Sequence, residues 1–425
     1  MLKTLRNAFK VPDLRKRLFI TLALLAVFRA GVFIPVPGVN TDAVAKIADQ
    51  GLLFGFLDMI SGGAFRYFGI FALGVTPYIN SSIIMSLLQI AIPRLEQLSK
   101  EGEDGRRKIA EYTRYGTILF AVIQAFSIGI YLRNSGALVS NSVWQVIIII
   151  ITLTAGTTFV MWLGERITES GVGNGTSLII FSGILARIPA MVGGLITLVR
   201  GGGLDPMTAL LFAAFAVLMI AGVVAMDLGE RRIPVQYAQR RIGLKSYGGQ
   251  STHIPINVNS AGVIAIIFAL SVLQFPLIIT QLAFKPGHPV RTLFESGWLS
   301  SQYPIYPVVY VFLIIFFTWF YTSVTFKPDE VAENLQKNGG FIPGLRPGKP
   351  TEEYLTRVLS KMTIIGGAFA SIVAIFPIIA GMINRNLGNI QFGGTAVLIV
   401  VGVALEINKQ LKAQLVMRHY EGFLK

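Results

Sequence analysis

Few residues of this chain could carry covalent chemistry. It has no cysteine, which removes thiolate nucleophiles, thiolate metal sites and disulfides. His253, His288 and His419 are scattered, without the spacing of a metal-ligand set. GVGNGTS (Gly171–Ser177) is rich in glycine but lacks the Gly-Lys-Ser/Thr ending of a phosphate loop. It reads as a flexible turn that opens a helix. Glu165, Asp227 and Glu406 stand at the ends of apolar stretches, and Asp58 stands in a short one. None lies midway along a long stretch, where a proton- or sodium-coupled carrier keeps its carboxylates. Arg29 lies well inside the first stretch, where it lines a pore, pairs, or snorkels outward. The remaining chemistry is the binding of anions. Arg231, Arg232, Arg240, Arg241 and Lys245 occupy one loop, and Lys337, Arg346 and Lys349 the next. A guanidinium grips a carboxylate or phosphate bidentately. Arg346 is flanked by Pro343, Gly344, Pro347 and Gly348, a setting for a tight, stiff turn.

The elements that hold these residues are membrane helices. Hydrophobic residues make up 53% of the 425 and charged residues only 14%, against about a quarter in a soluble domain. Apolar spans at 18–36, 69–92, 115–133, 143–163, 173–191, 207–228, 259–283, 306–326, 362–383 and 393–408 are each near the roughly 20 residues that cross a bilayer. Strand periodicity is absent over these lengths, so the expected fold is an all-α membrane protein of ten transmembrane helices. Most of the 37 Lys and Arg crowd into every other gap, including both termini. That alternation places both termini and the two large loops, 229–258 and 327–361, in the cytoplasm. The tryptophans, Trp144, Trp162, Trp298 and Trp319, fall near span ends or in an outside loop, as in an aromatic belt.

The chain divides at GGGLDP (Gly201–Pro206) into an N-terminal half, 1–203, and a C-terminal half, 204–425. Five spans on each side give the halves opposite orientations, as in inverted-repeat folds. The apolar segment Gly51–Gly63 is too short to cross. Its plain reading is an interfacial helix or a buried re-entrant segment, and its functional reading is a half-helix folded into the protein and able to block a cavity. Ile79 and Ile83 are one turn apart on one helix face, after a Gly74/Pro77 sequence that loosens the helix. Ile180, Ile267 and Ile399 lie deep in three other spans. On pattern alone such isoleucines are core or lipid-facing side chains. The loops alternate in β fashion at IPVQYA and HIPINV, which suggests structured projections rather than mere topology signals or anionic-lipid contacts. An apolar bundle with large basic loops on one side fits a channel worked by a cytosolic machine.

Several motifs together resemble the SecY family of protein-conducting channels. They are FIPVPG (Phe33–Gly38), FALGVTPYINSSII (Phe71–Ile84), ITESGVGNG (Ile167–Gly175), ERRIPVQYAQRR (Glu230–Arg241), QSTHIPINVNSAGVI (Gln250–Ile264), GGFIPGLRPGKPT (Gly339–Thr351) and FGGTAVLIVV (Phe392–Val401). They run in the family's order from the first span to the last. The resemblance implies an hourglass pore between two five-helix halves, with no enzyme activity and no cofactor. Its waist would be ringed by Ile79, Ile83, Thr176, Ile180, Ile267 and Ile399, Thr176 departing from the branched aliphatic residue usual there. It implies an external plug at 52–65, including Leu53, Phe54, Phe56, Leu57, Met59 and Ile60. It also implies a lateral gate between spans two and three and spans seven and eight, with Gln89, Asn174 and Gln274 as polar candidates. Ordinary interhelical hydrogen bonding is an equal account of those three. The implied partners are SecE-type and SecG-type membrane subunits, the motor ATPase SecA, the ribosome through its RNA phosphates, and secretory and membrane protein substrates. Anionic lipid suits the basic termini.

The implied site is a bacterial inner membrane. A secondary transporter with inverted repeats shares the span count, but it needs a polar midplane and modest loops, and this chain has the reverse. The charge alternation carries its own test. Reporters fused after Lys245 and after Arg346 are expected to read cytoplasmic and one near Gly202 external; a cytoplasmic signal at Gly202 refutes the two-half division.

Overall fold

The computed structural model describes residues 2–49, 57–237, 240–242, 245–247, 251–259, 263–284, 287–295, 297, 303–383 and 394–423. The described residues form a bundle of long helices with a three-stranded sheet and a separate two-stranded ribbon. In the first half, helices α1 (Leu2–Lys10), α2 (Pro12–Val32) and α3 (Thr41–Asp49) lead to an irregular stretch at 61–75. Then follow α4 (Thr76–Ala91), α5 (Pro93–Lys100), α6 (Glu103–Asn134), α7 (Val143–Ser170) and α8 (Gly175–Arg200). The second half opens with α9 (Pro206–Leu228). It continues with β1 (Glu230–Tyr237), β2 (Arg240–Ile242), β3 (Lys245–Tyr247) and β4 (Ser251–Asn257). The remaining elements are α10 (Ile264–Ala283), α11 (Pro289–Glu295), α12 (Ile305–Thr325), α13 (Pro328–Lys337), β5 (Gly340–Phe341), α14 (Lys349–Ile383) and α15 (Gly394–Phe423).

Local sequence sets where the helices start. The Asp205 carboxylate accepts from Met207 N at 3.1 Å and Thr208 N at 3.3 Å, with Pro206 opening α9. Ser142 accepts from Trp144 N at 3.3 Å at the head of α7. These side chains satisfy amides that have no intrahelical partner.

Among the described residues, seven helices are long and apolar enough to cross a membrane. They are six of the helices α6 to α9, α14 and α15, together with the run that begins with α12. The first expected span, α2, misses the criterion because its first two turns carry Asp13, Arg15, Lys16 and Arg17. The second differs most from expectation. A helix was expected from residue 69, but α4 begins at Thr76 and has 16 residues. Pro77 stands in its first turn, where a missing N–H costs nothing and a fixed φ suits the helix. Pro77 therefore starts the helix rather than loosening it.

Elsewhere the helices outrun the apolar spans. α6 starts at Glu103, α14 starts at Lys349, and α15 continues to Phe423. Hydropathy marks only the lipid-facing part, and charged turns carry each helix beyond it.

Two large clusters make up the core. One gathers Met219, Val223, Ala265, Ile266, Ala269, Leu270, Tyr310, Ile314 and Val373 from the second half, together with Ile83 of α4. The other gathers Phe28, Val32, Met59, Ile60, Phe71, Val160, Ile179, Ile180 and Ile184 from the first half, together with Ala396, Ile399 and Val403 of α15.

Close backbone approach supports the first-half packing. A Cβ on Gly156 would lie 1.9 Å from the carbonyl oxygen of Ile70, so α7 touches the irregular stretch with no side chain between them. Gly156→Val should lower stability by about 1–3 kcal/mol through overpacking, read as a fall in melting temperature of the detergent-purified chain. Gly194→Ala, which meets nothing within 4 Å, should melt like the parent.

Candidate functional site: an apolar waist, a buried segment and a basic face

α4 lies between the two clusters. Ile79 packs against both of them. One turn on, Ile83 is 6% exposed and sits in the second-half cluster. Ile267 of α10 packs on that same cluster, whereas Ile180 of α8 and Ile399 of α15 are buried in the first-half cluster. Five of the six expected ring residues thus belong to two apolar cores that meet at Ile79. Thr176, the sixth, is half-buried and polar. Its hydroxyl lies beside Gly164 of α7 and within side-chain hydrogen-bonding reach of Tyr78 of α4.

The described part of the short apolar segment is buried rather than interfacial. Leu57 to Ile60 form a helical turn, and Asp58 to Phe65 are buried. Met59 and Ile60 share the cluster of Ile180 and Ile399, and Leu57 packs on a third cluster around Phe65, Phe68 and Leu153. Leu53, Phe54 and Phe56 lie outside the described residues. Arg29 resolves as a paired group. Its guanidinium donates to the Gly62 carbonyl at 2.6 Å and stacks on the Phe33 ring at 4.8 Å. Asp58 pairs with Arg187 of α8. Nothing in the Arg187 sequence context pointed to that partner, 129 residues away.

Of the polar candidates for the gate, Asn174 has a local task. Its side chain caps α8 by accepting from Ser177 N at 3.1 Å, as its place before a helix start favours. Gln89 is half-buried near the end of α4, and Gln274 is half-buried on α10. α10 touches both α4 and α6, so the two halves close against each other along that seam.

Both basic loops contribute strands to one sheet. β1 pairs antiparallel with β4, with Arg231 opposite Ile256 and Ile233 opposite Ile254. β5, from the second loop, adds to β1 through Gln236 and Phe341. The alternation read from IPVQYA holds: Ile233 and Val235 are fully buried, while Arg231, Arg232 and Gln236 are exposed. Beneath the sheet they meet Ile256, Leu335, Ile342, Leu355 and Leu359. Arg232 is held by Glu230 at 2.6 Å. β2 and β3 pair as a separate ribbon bearing Arg240, Arg241 and Lys245. Arg346 is exposed in the turn ahead of α14, and the Thr351 hydroxyl fixes its backbone by donating to its carbonyl at 2.8 Å. Gly344 and Gly348 on either side have φ of +85° and +95°, a backbone that glycine adopts without strain. The root of this face is also tied down. Asn259 donates to the Asp227 carboxylate at the end of α9 at 2.5 Å.

The sequence matches the SecY family over residues 69–408. It is 46% identical to the protein translocase subunit SecY of Halalkalibacterium halodurans, with all of both chains covered. It is 42% identical to that of Thermotoga maritima, covering 100% of this chain and 98% of the relative. The fold is similar to a solved protein-conducting channel, with a TM-score of 0.69 at 20% identity over 96% of each chain. It is also similar to a SecY protein whose plug domain is described as stabilising the closed channel and maintaining a membrane seal, with a TM-score of 0.67 at 20% identity over 96% of each chain. The full-length relatives cover the whole chain, and the chain belongs to the SecY family.

Proposed function

We propose that this chain is the channel subunit of a protein translocase, conducting unfolded secretory polypeptides across the membrane and releasing apolar segments sideways into lipid. The observation that carries this reading is the meeting of two apolar cores at Ile79, with the buried segment from Leu57 packed into one of them. A narrow ring of bulky apolar side chains sheds water, and so blocks ions without a charged barrier. The same side chains demand no polar partner, so they part around any polypeptide. In this reading Ile79, Ile83, Ile180, Ile267 and Ile399 form the waist, Thr176 borders it, and the segment at 52–65 is the plug. The seam of α4 and α6 against α10 is the lateral gate, with Gln89 and Gln274 near it. An apolar segment leaving there gains roughly 25 cal/mol for each Å² taken out of water.

The architecture is ten spans in two inverted halves, 1–203 and 204–425, in a bacterial inner membrane with both termini cytoplasmic. The sheet and the Arg346 turn form the cytosolic docking face. Rigid arginines on a packed sheet suit the RNA phosphates of a ribosome or the carboxylates of a SecA-type motor. Solved relatives include Sec61 in a canine ribosome–channel complex, which supports the first partner. SecE-type and SecG-type subunits would complete the channel, with anionic lipid at the basic termini.

Two outcomes follow. Replacing Ile79 and Ile83 together by Ser should wet the waist and raise resting ion conductance in planar bilayers, as should deletion of 52–65 to a smaller extent. Parent conductance in a folded double variant removes both isoleucines from the pore. Arg346→Glu should cut SecA-driven, ATP-dependent translocation into proteoliposomes about ten- to a hundredfold, since hydrogen bonds to charged groups are worth about 1.5–3 kcal/mol. Arg346→Lys should be partly active, because lysine cannot copy the bidentate grip. Parent rates for both variants shift the docking role to Arg231, Arg232, Arg240, Arg241 and Lys245.

A further inference from the structure

The buried stretch that starts at Leu57 lies along α8 in a definite register. Asp58 pairs with Arg187, and four residues on, Gly62 abuts Gly183, four residues back. The segment therefore runs antiparallel to one turn of α8. A Cβ on Gly62 would lie 2.8 Å from the Gly183 Cα, and a Cβ on Gly183 would lie 3.0 Å from the Gly62 Cα. The backbones meet with no room for a side chain. Ile180, Gly183, Ile184 and Arg187 share a face of α8 by their three- and four-residue spacing, and Ile180 and Ile184 pack with Met59 and Ile60. From the other side, Arg29 of α2 donates to the Gly62 carbonyl at 2.6 Å. The second carboxylate oxygen of Asp58 accepts from Arg66 N at 2.8 Å, closing the segment on itself.

The Asp58 side chain is 2% exposed and that of Arg187 14%. A buried ion pair adds little net stability, but removing one partner leaves the other charge stranded. That asymmetry suits a contact that fixes position. We propose that the Asp58–Arg187 pair, with Arg29 on the Gly62 carbonyl, is the latch that seats the segment against the waist. Arg187 and Arg29 are then positioning residues for closure. The proposal rests on the channel reading. It adds a coupling: the pair separates only where water can take up both charges, so release of the segment and wetting of the waist go together.

The test uses the full chain with its membrane partners in planar bilayers. Asp58→Lys and Arg187→Glu should each raise resting ion conductance by about tenfold or more. The double variant Asp58→Lys/Arg187→Glu restores an ion pair of reversed polarity and should return conductance to within about twofold of the parent. Asp58→Asn keeps the shape and the acceptor for Arg66, and should give a smaller rise; it serves where the reversed single variants do not fold. Parent conductance in folded single variants or in Asp58→Asn overturns the latch. So does a double variant that leaks as much as the singles. A folded parent complex that moves no secretory polypeptide when supplied with SecA and ATP refutes the channel reading itself, and the latch falls with it.

Discussion

The structure depends on burying a stretch of backbone that is not helical. Lipid offers no hydrogen bonds, so irregular chain at membrane depth survives only inside protein. Residues 61–75 satisfy that condition by local and cross-chain bonds. Phe65 N reaches the Ser61 hydroxyl at 3.2 Å, Gly69 N the Ala64 carbonyl at 2.8 Å, and Arg66 N the Asp58 carboxylate at 2.8 Å. Ile70 N and the Phe68 carbonyl bond to Ile34 and Val36 after α2, at 2.9 and 2.8 Å. The FIPVPG motif and the residues just before FALGV, Phe68 to Ile70, thus meet in one hydrogen-bonded corner through the Pro35–Gly69 bridge. The surrounding helices supply the cover. Gly31 and Gly156 leave space for Phe71 and for the Ile70 carbonyl, and the Phe28, Phe71 and Phe159 rings stack in series at 5.8 and 5.9 Å. α4 is short because much of its span is taken up by this corner.

Local features were legible in the sequence, and cross-chain ones were not. Helix starts at Pro206 and Val143 follow from capping residues beside apolar runs, and the alternation of IPVQYA follows from a sheet with one buried face. The expected helix at residue 69 failed because Phe71, Ala72 and Leu73 are apolar enough for a span yet are buried by a corner, and hydropathy does not distinguish burial in protein from burial in lipid. Ile79 and Ile83 were placed on one face by spacing, but that the face meets two separate cores needed the partner helices. Asn174 was weighed as a gate residue, although its position before GTS marks it equally as a cap. Asp58 stood out as a charge in a short apolar stretch, but Arg187 did not. Their pairing depends on how α8 lies against a segment 129 residues earlier, and no local pattern encodes that.

The basic sheet shows how a soluble structure is grown on a membrane bundle. β1 and β4 leave α9 and return to α10, and β5 joins them from the following loop. The sheet would expose Ile233, Val235 and Ile256 on one side, but α13 and the start of α14 cover that side with Leu335, Leu355 and Leu359. α14 is one helix of 35 residues from the sheet into the bundle. A load on the sheet therefore reaches Ala370 and Val373 of the second-half core through a continuous helix rather than through a flexible linker.

In the proposed channel, seal and seat are assigned to different kinds of interaction. Apolar contacts are non-directional, so the side chains around Ile79 can re-form a barrier in many arrangements and part for many substrates. They cannot by themselves return a displaced segment to one register, since Met59 or Ile60 slipped by a turn would still bury apolar area. Register needs directional contacts, and these stand off the waist. Asp58 with Arg187 and Arg29 with Gly62 hold the side of the segment that faces α8 and α2, while the isoleucine side chains carry no polar atoms at all. Charges placed in the waist itself would hold water there and defeat the barrier. Set about two turns along α8 from Ile180, at Arg187, the same charges fix the segment without wetting the ring.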